Sequence, residues 1–122
     1  MPAPHELEDF ARLWDMVRYG RELVGFVQGL SFSEAMGNKI LVRALERDVE
    51  VIGEAARHVS DAGRALAPQL PWGAIVAQRH IVAHEYGELM YGKLWAVATV
   101  HVPEMLAILT PIVERHSPDL FA

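Results

Sequence analysis

The 122-residue chain contains no cysteine, which removes disulfides and thiolate metal ligands from consideration and fits a reducing compartment. Its first ten residues, MPAPHELEDF, have neither a basic stretch nor an apolar run, so no signal peptide is expected there. No uncharged apolar run approaches the length of a membrane span, so no membrane partner is expected, and a cytoplasmic location is the reading. Basic residues are also in deficit. Eleven Lys and Arg face sixteen Asp and Glu, for a formal net charge of −5. Bulk charge therefore does not draw this chain to nucleic acid, although a local basic groove remains compatible with that balance. Strand-like alternation, internal repeats, low-complexity tracts and linkers are absent as well.

What is present is amphipathic helix. Apolar residues make up 52% of the chain, and 122 residues suit one domain, taken here as 1–122. A first helix is predicted over Glu6 to Gln28, with Leu7, Phe10, Trp14, Val17, Val24 and Val27 forming its apolar stripe. Gly20 and Gly25 weaken it locally, and QGLS ends it. Ser31 and Glu34 match a capping box that opens a second helix, predicted to run to about Ser60 with Ile40, Ala44, Leu45, Ile52, Ala55, Ala56 and Val59 buried. GEAA at 53–56 carries little bulk, so a neighbouring helix can approach closely there. Gly63, Pro68 and Pro71 predict a loop. A third helix is predicted over Trp72 to Tyr86 with Gly87 as its stop, and a fourth over Lys93 to Arg115, kinked or divided at Pro103 and Pro111. The fold class is all-α, most simply a four-helix bundle.

The polar chemistry is concentrated in RHIVAHEYG, residues 79–87. Three readings compete there. His80 and His84 stand i, i+4, about 40° apart on an ideal helix, so they can face one ion with Glu85 adjacent. No HExxH motif or convincing third ligand accompanies them, and no metal or other cofactor is assigned. The second reading is metal-free RNA cleavage. Arg79 offers a fork of donors for a phosphate, and His84 can accept the 2′-hydroxyl proton. On an ideal helix these two lie about 140° apart, so they converge only if the helix end unwinds or the site crosses an interface, whereas Arg79 and Tyr86 are nearly aligned. The third reading is structural: an Arg, a His and a Tyr near a helix C-terminus can simply cap carbonyls and complement the dipole.

RHIVAHEY fits the R-x4-H-x-Y signature of the HepT-like group of HEPN-domain proteins, toxins paired with minimal nucleotidyltransferase antitoxins. The likeness extends to FVQGLSFSEA, which resembles the family's opening, to RDVEVIGEAARHVS, which resembles its second-helix signature, and to LPWGAIVAQRHIVAHEYG, which resembles its third helix. The matches span most of the chain in the expected order. The resemblance implies a HEPN-type antiparallel four-helix bundle, a homodimer with a composite cleft, and metal-independent endoribonuclease activity on RNA. Carried over by position, Arg79 and His84 are the catalytic pair, and Tyr86 receives AMP from the cognate nucleotidyltransferase antitoxin. His80 stands where the family usually has Asn, and it and Glu85 are auxiliary candidates. Glu46 interrupts an expected apolar run.

Lys39, Arg43 and Arg47 repeat at i, i+4, i+8. They form either an RNA-facing edge or, as favoured here, a solvated face with intrahelical pairs. Trp14, Trp72 and Trp95 are read as core or dimer contacts. The competing class of function is a non-catalytic helical module that only binds a nucleotidyltransferase subunit.

Overall fold

The computed structural model describes residues 4–81 and 88–117, the side chains from residue 6 onward and excepting that of Glu88. Helix α1 spans Pro4–Val27, α2 Phe32–Met36, α3 Lys39–Arg57, α4 Asp61–Arg64 and α5 Trp72–Ala77, followed by a 3₁₀ turn over Gln78–His80. Helix α6 spans Glu88–Ala96, a π-helical segment covers Val97–His101, and α7 covers Val102–His116. Among the described residues there is no strand, as the all-α reading requires. Helix α1 packs most extensively on α3 and next on α7, while α5 and the 3₁₀ turn pack on α3.

The predicted stripe of α1 holds at Val17 and Val27, which are buried, and in part at Phe10, Trp14 and Val24, which are half-buried and pack on the core, but not at Leu7, which is exposed. Leu13, Met16 and Leu23 are buried as well. The helix meets α3 on one side and α7 on another, so its buried arc is wider than one stripe and shifted toward Leu13 and Met16.

The single helix predicted from Ser31 to Ser60 is divided. The capping box at its start forms as expected: the Glu34 amide donates to Ser31 Oγ at 3.1 Å, and the Ser31 amide donates to Glu34 Oε1 at 2.9 Å. That helix ends at Gly37. Asn38 then caps a new one, its Oδ1 accepting from the Leu41 amide at 3.1 Å. The break places Ile40 in the first turn of α3, 84% exposed rather than buried, while Val42, Leu45, Val49 and Ile52 take the core.

The loop after α3 is partly helical. Ser60 caps the one-turn α4, and the buried Asp9 carboxylate of α1 accepts from the Ser60 amide at 2.8 Å and from the Ser60 hydroxyl. This ties the start of α1 to the far end of α3.

The C-terminal helix begins at Glu88, earlier than the predicted Lys93, and it widens rather than separating. Pro103 has no N–H to offer the Thr99 carbonyl. The preceding turn adopts π geometry, with the Val102 amide donating to the Val97 carbonyl five residues back and the Thr99 hydroxyl bonding the Trp95 carbonyl at 2.7 Å. Pro111 lies inside α7 without ending it. Leu89–His116 is 28 residues of helix, long and apolar enough by length and composition to cross a membrane, which the sequence reading did not anticipate. Leu94, Val97, Val102, Met105, Leu109 and Val113 on it are buried in the core, and the segment packs on α1, as the core helix of a bundle does.

Candidate active site

Helix α5 starts at Trp72, directly after Pro71, as the sequence predicts. Its position is fixed by the buried Trp72 indole, which donates to the Ala67 carbonyl at 3.0 Å beneath the Arg64 guanidinium. Arg64 in turn donates to the Ala56 carbonyl of α3 at 3.1 Å.

The predicted helix from Trp72 to Tyr86 does not run through. Its α-helical part ends at Ala77, the Gln78–His80 turn is 3₁₀, and Ile81 is extended at φ −68, ψ 119. The cause lies in two buried isoleucines. Ile75 and Ile81 are six residues apart, which an ideal helix would set about 120° from one another. With the break, both are 8% exposed and belong to one core.

Arg79 sits on this turn against α3. A Cβ added at Gly53 would lie 2.6 Å from Arg79 Cβ and 3.1 Å from the Ile75 carbonyl oxygen. The small residue in GEAA is therefore the seat of the Arg79 backbone. The Arg79 side chain is half-buried, and its Nε donates to His80 Nε2 at 3.1 Å. In that bond the His80 Nε2 is the acceptor. Among the described residues no carboxylate pairs with the Arg79 guanidinium. His84, Glu85 and Tyr86 lie outside the described residues. The 140° separation of Arg79 and His84 on an ideal helix no longer applies, because the backbone leaves the helix at Ile81. Among the described residues, no three His, Asp or Glu side chains are grouped to hold a metal ion.

The basic stripe splits. Arg47 pairs with Glu50 at 2.9 Å, both exposed, while Lys39 and Arg43 form no ion pair among the described residues and flank the half-buried Tyr91 of α6. The expected intrahelical pairing thus holds at Arg47, and Arg43 is not the residue that makes it.

One buried acid had no sequence signal beyond its place in a helical stripe. Asp48 is 4% exposed, and its Oδ2 makes no hydrogen bond. Burial, then the hydrogen bond and the charge of Glu22 on α1, push its pKa up to about 7 against the pull of Arg47. At Glu46, a further buried acid, the chain holds a polar group where an apolar one was expected.

The architecture and this helix end define a class: a small all-α domain that presents an arginine on a broken helix, seated on a glycine of its neighbour. The chain belongs to the Ribonuclease HepT-like family, whose model matches residues 16–112. A protein of Methanocaldococcus jannaschii that carries the name "Putative RNase" is 30% identical over 95 residues, covering 78% of this chain and 87% of that protein. One of the same name from Caldanaerobacter subterraneus is 29% identical, with 76% and 83% covered. "Probable ribonuclease HepT" of Thermococcus cleftensis is 24% identical, with 81% and 84% covered. No solved structure gives a significant match.

Proposed function

We propose that this chain is a metal-independent endoribonuclease, one domain over 1–122, that acts in the cytoplasm as the toxin of a toxin–antitoxin pair. The observation that carries the reading is the seating of Arg79: the backbone is pressed on Gly53, and no carboxylate among the described residues neutralises the guanidinium. Arg79 clamps the scissile phosphate. His84 follows Ile81 by three residues, a covalent reach of about 10 Å, and takes the proton of the 2′-hydroxyl. That oxygen attacks phosphorus as the bond to the 5′-oxygen breaks, and the 5′-oxygen takes a proton from water, giving a 2′,3′-cyclic phosphate and a 5′-hydroxyl end. His80, bonded to Arg79, orients the guanidinium, and Glu85 is the remaining auxiliary candidate. Two copies of the chain form a homodimer whose composite cleft contains both motifs. A nucleotidyltransferase antitoxin silences the site by transferring AMP to the Tyr86 hydroxyl, which puts a phosphate and a base where RNA must enter.

The test is cleavage of single-stranded RNA in excess EDTA. Wild-type protein is expected to produce cyclic-phosphate ends. Arg79→Ala and His84→Ala are each expected to lose at least about 100-fold in rate, as when one transition-state donor is removed. Full activity in either variant, or strict dependence on an added divalent ion, refutes the mechanism. An inert protein that still binds a nucleotidyltransferase would be the non-catalytic module instead.

A further inference from the structure

Two irregular turns of the chain face one another. The 3₁₀ turn supplies Gln78 and His80, and the π segment supplies Val97 and His101, to a single open groove of about 470 Å³ that Lys93 also lines. Ile81 and Val97, both largely buried, contribute apolar surface. Lys93, His80 and His101 are exposed. No described lining residue is acidic, although the protein carries a net charge of −5. Neither Lys93 nor His101 stands out in the sequence. Their neighbourhood follows from the folding of α6 and the π segment beside the 3₁₀ turn.

We infer that this groove is the binding subsite for the single-stranded RNA that flanks the scissile phosphate. The inference rests on the ribonuclease reading and adds the residues that hold the strand. Three features select this occupant. The described lining offers the exposed Lys93 ammonium, which suits a phosphate of the strand. Met90 and Ala96 give the groove apolar surface against which a base can lie, and the His101 imidazole and the Gln78 amide line the same groove within reach of its edges. Continuity with the candidate active site is direct, because His80 lines the groove and accepts the Arg79 Nε hydrogen bond. In this arrangement Lys93 pairs with a backbone phosphate next to the one at Arg79, and His101 and Gln78 bond the base between them.

The experiment uses the full chain and a labelled single-stranded RNA carrying 2′-O-methyl groups, which cannot be cleaved by internal attack. Binding is followed by fluorescence anisotropy between about 0.05 and 0.2 M salt. Lys93→Ala is expected to raise Kd several-fold and to lower the salt slope by about 0.7, the value for one phosphate of a single strand. Ala74→Trp, at an exposed position on the groove wall, is expected to raise Kd about tenfold by filling it. Arg18→Ala, on α1 and paired with Asp15, is the control for loss of charge alone. Circular dichroism verifies that each variant keeps its helicity. Wild-type affinity in Ala74→Trp, a Lys93→Ala effect no larger than that of Arg18→Ala, or no binding by wild-type protein overturns the inference. Cleavage of ordinary RNA in EDTA is measured in parallel. Groove binding without cleavage removes the nuclease reading and leaves the subsite standing, whereas cleavage with unaltered binding by both groove variants removes the subsite alone.

Discussion

The two halves of the molecule obey different rules. From α1 through α3 the long helices are regular, and caps mark the interruptions: Ser31 opens α2, Asn38 opens α3 and Ser60 opens α4. From α5 onward the helices are distorted within their length, into a 3₁₀ turn at Gln78 and a π turn at Val97. Both halves contribute to the core, and the irregular half is laid on the surface that the regular one supplies. Distortions of this kind cost stability locally and persist where surrounding contacts hold them. Here the contacts are the Gly53 seat, the burial of Ile81 and the proline at 103.

The sharpest way to break the contrast is to weaken the regular half without touching the other. Leu45→Ala removes a fully buried side chain of α3 and is expected to cost about 2–5 kcal/mol in urea unfolding, with RNA binding by the surviving folded fraction unchanged. A cost below 1 kcal/mol would mean that α3 is not the scaffold.

Asp48 tests whether the scaffold carries a concealed charge. Its pKa in the folded protein, about 7, lies above the ordinary carboxylate value of 3.8. Between those pH values the folded chain retains a proton that the unfolded chain has released, so stability falls as pH rises through the window and stays lower above it. Asp48→Asn should flatten that slope and unfold at higher urea than wild type at pH 7.5, a gain of up to a few kcal/mol. Restricting the comparison to about pH 5.5–7.5 isolates Asp48 from Glu54. Arg57 and His58 hold Glu54 down to about 2, so its contribution is present above its ordinary value of 4.5 and is lost as pH falls from there toward 2. An unchanged slope would place the proton elsewhere.

Gly53→Ala probes the seam between the halves. The new methyl meets Arg79 and Ile75, and the strain is expected to cost about 1–3 kcal/mol. Its distinguishing mark is that RNA cleavage drops by more than tenfold at temperatures where circular dichroism still reports full helicity. Retained cleavage would show that Arg79 does not depend on that seat. The smallest expected effect is Asn38→Ala, about 1 kcal/mol for a lost cap, with no change at the groove.

The difference between the halves also explains what the sequence made legible. Caps and small residues act locally, so the Ser31–Glu34 box and the close approach at GEAA were readable from the letters alone. The start of α5 after Pro71 was readable for the same reason. The Gly37–Asn38 break was available as a helix stop and a cap in sequence, but the apolar period on either side masks it. The end of α5 was not readable, because Ile81 continues a plausible helical pattern and only the core decides that it must turn inward. The stripe of α1 was read too narrowly, missing Leu13, Met16 and Leu23, because a helix with neighbours on two sides has no single stripe. Arg79 stands out in the sequence by its motif, whereas the surroundings of Lys93, His101 and Asp48 are set by neighbours distant in sequence.

The π turn at Val97–His101 has a consequence for chain length. A turn closed by a bond from residue i+5 to residue i contains one residue more than the α turn it replaces. That surplus can be withdrawn without re-aiming the flanks: a chain lacking Thr99, with a residue other than proline at 103, would close an ordinary α turn there and leave Leu94 and Leu109 facing the same core. Insertions and deletions are generally confined to loops, yet this helix contains a place where its length is negotiable. Relatives one residue shorter at this point would keep the bundle and present a flatter wall to whatever occupies the groove.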